Sequence, residues 1–256
     1  MRKYLLASAC VLAGGLATSS ALAEGIAATG QGTFGNILGF PSWSANGALD
    51  VPLDWEGLSL DGTVGDRGAD SLHLFDAGGS LVWSDPQFRI AGSALYNRLN
   101  GSGRSTDTTQ LGGGGEWYFT DQITAAVRGG ANVGALHGGY IGGTGKFYVT
   151  PDVAIDGFVD YSDLAHHFAG VLNETDYGAH AEWLPMEDIP IALEGNYTHV
   201  HVAGSGLGFS GTGDTDTWWV GVKLYLNESG ATTLVDRQRT GTLDTIQPVQ
   251  HFLGSN

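Results

Sequence analysis

The sequence predicts an all-β protein: a transmembrane up-and-down antiparallel β-barrel of about twelve strands, within a range of ten to fourteen. Three observations carry this. Glycine supplies 42 of 256 residues, against a usual share of about 7%, and glycine is costly inside helices. Apolar residues recur at every second position from residue 44 onward, the period of a strand. The connections alternate between short and long, the pattern of a barrel with tight turns at one end and loops at the other. Only 7 prolines and no Gly-X-Y period exclude collagen. A hydrophobic share of 42% excludes a disordered chain.

Residues 1–23 read as a secretory signal. Arg2 and Lys3 form its charged start, Tyr4 to Ala17 its apolar stretch, and Ala21-Leu22-Ala23 its cleavage site. The barrel is then expected over residues 24–226 and a periplasmic tail over 227–256. The tail either is disordered or folds back to plug the lumen, and its Asp, Arg, Gly and Thr content favours disorder. Cleavage removes Cys10, the one cysteine, and with it disulfides, Cys-ligated zinc and thiol chemistry. Losing Arg2 and Lys3 leaves nine basic residues against 27 acidic ones, a net charge of −18. That excludes nucleic acid as a partner. No later stretch approaches 18 consecutive apolar residues, so no helix is expected to span a membrane.

Along the chain, Gly25–Asn36 supplies the first strand, although its alternation is the weakest. Eleven more follow from Ser44 to Leu226, and an even number lets both ends lie on the short-turn side. Short connections fall near Leu53–Glu56, Ser84–Gln87, Thr120–Gln122, Thr150–Asp152 and Pro185–Asp188, each with Asp, Pro or both. Longer ones, rich in Gly, Ser, Thr and Asp, are expected at Gly65–Asp70, Asn100–Asp107, Gly134–Gly139, Asp163–Thr175 and Val202–Asp216. The alternation is clear in Ile123–Gly130 and Val153–Tyr161. It is clearest in Ile189–Thr198 and Thr217–Leu226, where Trp218, Val220, Val222, Leu224 and Leu226 share one face.

On the expected outward face the aromatics form two belts. Trp83, Phe88, Trp117, Phe119, Phe147 and Trp183 stand beside the short turns; Tyr96, Tyr161, Tyr177, Tyr197 and Trp218 stand toward the loops. From Phe88 to Tyr96 the strand rises about 20 Å, which suits the two interfaces of an outer membrane. The opposite face carries Asp50, Asp61, Asp76, Arg89, Glu116, Arg128, Lys146, Asp156, Asp160, Glu182, Glu194 and Lys223. A soluble β-sandwich also alternates, but its core would have to bury these charges at several kcal/mol each when unpaired. A barrel with lipid outside and water inside places them without that cost.

The chain resembles a family of small outer-membrane β-barrel, porin-like proteins of Gram-negative bacteria, among the Alphaproteobacteria. The resemblance rests on Gly115-Glu-Trp-Tyr-Phe119, on the final strand Val220–Leu226 and on the tail segment Thr233–Arg239. None of these motifs specifies chemistry. The resemblance implies outer-membrane lipid and lipopolysaccharide as surroundings, and the insertion machinery as a partner during assembly. The final strand resembles the signal read by that machinery, except that such signals usually end the chain in an aromatic residue.

The twelve inward charges are the candidate site. They either pair across the wall and brace the lumen or form a polar constriction that selects solutes. Eight of the twelve are acidic, so a conducting pore is expected to prefer cations. The acidic loop residues Asp66, Asp70, Asp163, Glu174, Asp176, Asp214 and Asp216 read as solvated charge, since the EF-hand spacing is absent. His199 and His201 share a strand face, but no zinc-type cluster accompanies them. An outer-membrane hydrolase would need Asp160, Asp163, His166, Ser210 and Asp214 to converge, and no serine elbow is present. The expectation is a passive channel for small hydrophilic solutes, without enzyme activity, cofactor or metal. Its alternative is a closed structural or adhesive barrel.

Overall fold

In the computed structural model the described residues run from 26 to 241, except 38, 102, 167–169, 187–188, 207–208 and 227–230. The expected signal peptide lies outside the described residues. Twelve antiparallel strands form one closed barrel: β1 (Ala27–Ile37), β2 (Phe40–Pro52), β3 (Leu58–Ala69), β4 (Leu72–Asp85), β5 (Phe88–Gly101), β6 (Arg104–Thr120), β7 (Ile123–Gly134), β8 (Leu136–Thr150), β9 (Val153–His166), β10 (Gly170–Trp183), β11 (Ile191–Gly206) and β12 (Phe209–Leu226). Each strand pairs with its neighbour in sequence, and β1 closes the wall by pairing with β12, Gly30 opposite Leu224. Both chain ends of the barrel therefore lie at the same rim, as an even strand number requires. No helix among the described residues is long and apolar enough to cross a membrane.

The two rims differ from expectation. The five segments read as long loops are mainly strand. Val202–Asp216, for example, is β11 up to Gly206 and β12 from Phe209, with His201 opposite Asp214 and Ala203 opposite Thr212. Likewise, Gly65–Ala69 belongs to β3, and β7 and β8 are separated by one residue, Ala135. Serine, threonine and glycine made these stretches look like loops, yet they pair with neighbouring strands and lift the wall into a tall collar. The turn-side rim behaves as the Asp and Pro signals predict, with connections at residues 53–57, 86–87, 121–122, 151–152 and 184–190.

Side-chain direction inverts the usual arrangement of a soluble protein. Leu60, Leu81, Ile90, Val127, Ile141 and Val159 stand outside and are each 44–63% exposed. Inside, charged and polar residues are buried, and the buried apolar residues form only small clusters. Inward glycines make room for this filling. Gly142 on β8 lies opposite both Arg128 of β7 and Asp160 of β9. A methyl group there would stand 1.7 Å from Asp160 Oδ1 and 3.0 Å from Arg128 Nε. The missing side chain is the space through which two strands, not adjacent, join their charges. Gly112 and Gly130 similarly accommodate the buried ring of Tyr140.

The described part of the tail is folded. Residues 234–240 form a short helix, α1 (Leu234–Thr240). Its sequence explains why. Thr233 caps the start, its Oγ1 accepting from the Asp236 backbone N–H at 3.2 Å. Asp236 stands in the first turn, and Arg237 and Arg239 in the last, each at the end where the helix dipole favours its charge. Leu234 packs with Tyr148, Ala154, Leu184, Ala192 and Tyr225 inside the barrel end. The composition that favoured disorder omitted this contact, which exists only once the barrel has closed.

Candidate functional site

Among the described residues, most of the buried chemistry-bearing side chains converge in the barrel interior. Alternation along each strand sends them there: on β10, residues 174, 176, 180 and 182 share the inward face, as do residues 61 and 67 on β3. All twelve charges read from the sequence face inward. Asp50, Asp61, Asp76, Arg89, Glu116, Lys146, Asp156, Asp160, Glu182, Glu194 and Lys223 are buried, and the Arg128 side chain is 9% exposed.

Three layers follow one another along the axis. In the middle, the Arg128 guanidinium grips both oxygens of Asp160 at 2.6 and 2.7 Å, and Arg67 meets Asp76 at 3.3 Å. A polar chain runs around the wall across the barrel seam. Asn46 donates to Gln31 at 2.9 Å, and Gln31 donates to Glu194 at 2.7 Å. His180 lies between Glu194, at 3.6 Å, and Asp156, at 2.8 Å, and Lys146 stands 4.0 Å from Asp156. Lys223 lies 4.0 Å from Glu182, which also accepts from the Tyr225 hydroxyl.

Toward the collar the lining mixes leucines with polar residues. Leu74, Leu99, Leu136 and Leu164 join Asn97, Thr108, Gln110 and Asn132 around a cavity of about 30 Å³, room for roughly one water. At the turn side the bore is occupied by α1. Arg89 donates to the carbonyl oxygens of Gln238 at 3.0 Å and Gly241 at 2.8 Å. The Gln238 amide donates to Glu116.

Four inward groups were missed. Glu174 and Asp176 were read as loop acids; they are buried on β10, in phase with Glu182. Arg67 is buried on β3, in phase with Asp61, and His180 was passed over. Extending the period of two through the polar stretches would have found all four. With Arg237 from the tail, ten buried carboxylates face six cations among the described residues, Arg128 included.

The belt residues named from the sequence all stand on the outer face. Trp83, Trp117, Phe119, Phe147 and Trp183 are exposed near the turns, and Tyr96, Tyr161, Tyr177, Tyr197 and Trp218 toward the collar; Phe88 is half-buried against Trp83. Beyond the upper aromatics, His199 Nδ1 lies 2.9 Å from Asp216 and His201 Nδ1 lies 2.6 Å from Asp214, both pairs on the outside. Among the described residues no three such side chains are arranged to hold a metal. The residues a hydrolase would need are also divided by the wall. Asp160 is inside, bound to Arg128, whereas Asp163 and Asp214 are outside. The His166 side chain lies outside the described residues.

No protein-family model matches the chain, and a search of curated proteins found no match. Solved structures do match in fold. A structure described as "Unveiling the Mechanism Behind the in-meso Crystallization of Membrane Proteins" aligns with a TM-score of 0.56 at 16% identity, over 87% of this chain and 96% of that one. A NanC porin aligns with a TM-score of 0.51 at 10% identity, over 77% and 98%. A KdgM porin in complex with disordered oligogalacturonate aligns at 0.50 and 12% identity, over 77% and 98%. At these identities the likeness is one of fold.

Proposed function

We propose that the protein is a porin-type channel of the outer membrane whose solute path is the charged barrel interior, with a preference for small cations. The observation that carries this is the inverted distribution of side chains: apolar residues, flanked by aromatics, outside, and ten carboxylates against six cations inside. Such a surface suits lipid and lipopolysaccharide. An acidic bore favours cations by attracting them and repelling anions. The fold shared with two porins supports the same reading, and the final strand, Val220–Leu226, suits recognition by the insertion machinery. Planar-bilayer recordings test it. Stepwise openings are expected, with reversal potentials in a salt gradient on the cation side; anion preference would overturn the selectivity.

A second reading has its own observation. The inward charged side chains are buried, and a collar-side cavity measures about 30 Å³; this packing favours a closed structural barrel. Silence at every applied voltage from folded, inserted protein, with and without its tail, would favour that reading.

A further inference from the structure

We infer that α1 is the resident plug of the barrel, so that the tail, rather than the wall alone, sets the width and charge of the turn-side mouth. This rests on the channel reading above. Arg89 of β5 binds the carbonyls of Gln238 and Gly241. Glu116 of β6 accepts from the Gln238 amide, and Thr124 of β7 donates to Gln238 Oε1 at 3.4 Å. Leu234 joins the cluster of Tyr148 from β8, Ala154 from β9, Ala192 from β11 and Tyr225 from β12. Arg239 reaches Asp121, in the β6–β7 turn, at 3.0 Å. A seven-residue helix lying against one side of a wall touches two or three strands. Direct contacts with β5, β6, β7 and β12, and an apolar cluster shared with residues of β8, β9 and β11, place it across the bore.

The seat is specific and built for release. Arg89 satisfies two carbonyls at the helix C-terminal end, where no intrahelical partner exists. Arg237 stacks on the Tyr225 ring at 4.8 Å, and Arg239 on the Tyr118 ring at 5.1 Å. Among the described residues the tail supplies two buried apolar anchors, Ala231 and Leu234, whereas the barrel is held by a complete ring of strand pairings. The plug can therefore leave while the wall stays intact. Its removal would uncover Glu116 and withdraw Arg237 and Arg239. The open mouth becomes both wider and more negative.

The experiment compares three proteins in planar bilayers: the full chain, a chain ended after Leu226, and full-length Leu234→Asp, which alters only the plug. Heat-modifiable gel migration confirms folding in each. Both variants are expected to show several-fold higher conductance than the full chain and a reversal potential moved further toward cations. Openings in the variants alone, with a silent full chain, carry the same support. Equal conductance and equal reversal potential in all three would overturn the plug while leaving the channel standing. Silence in all three overturns the channel reading and the plug together. If the shortened chain does not fold, Leu234→Asp decides the matter alone.

Discussion

Gly142 shows how a residue without a side chain can hold an ion pair together. Arg128 and Asp160 sit on strands separated by β8, and their bond passes through the volume a Cβ would take. Gly142→Ala is therefore expected to break or distort the pair. Losing a buried pair costs about 3–5 kcal/mol, to be read as a lower denaturant midpoint. Gly145→Ala supplies the control, because a methyl at that outward position meets nothing within 4 Å; its change should stay within about 0.5 kcal/mol. Equal effects of the two substitutions would remove the spacer role from Gly142. The charges themselves were legible in the sequence, since alternation assigns each to a face. The partner of each was not, because Arg128 and Asp160 meet across an intervening strand and no local pattern encodes that.

At the scale of elements, the seam between first and last strands is the place where a barrel must be secured. β1 lies opposite β12 from Ala28 to Asn36. Gln31 reinforces the pairing by reaching over β12 to Glu194 on β11 while accepting from Asn46 on β2. One side chain thus ties together the strands on either side of the closure. The outer face of the strands carries a separate prediction, argued from the proposed membrane setting. Val127 stands outward and 53% exposed, between the two aromatic belts. Val127→Arg is expected to destabilise the lipid-embedded barrel by about 2–4 kcal/mol, measured by unfolding from liposomes. A change near zero would count against lipid at that position. The strand count of twelve and the turn-side connections were readable from period and turn chemistry. The collar was not. Composition cannot separate a polar strand from a polar loop, because pairing with both neighbours is decided by where those neighbours lie.

For the whole molecule, closure makes the barrel resistant to unfolding as a unit, since every wall strand is paired on both edges. Unheated samples in detergent are expected to migrate differently on gels from boiled ones, and the protein to partition with membranes. A soluble periplasmic distribution would overturn the membrane reading. The bilayer measurements act at the same scale, because width and charge of the path depend on wall, collar and tail together.

The sequence by itself determined that the chain is a twelve-stranded barrel and that twelve named charges belong to the inside. Both follow from a period of two, which is local. Only the tertiary structure decided that the interior is packed, that the polar segments rise into a collar, and that residues 234–240 return to the mouth. These depend on residues far apart in sequence meeting across the bore, as Arg89 meets Gln238 and Gly241. The glycine excess belongs to both levels. Its size pointed away from helices, and its inward members proved to be the spaces that let distant charges touch.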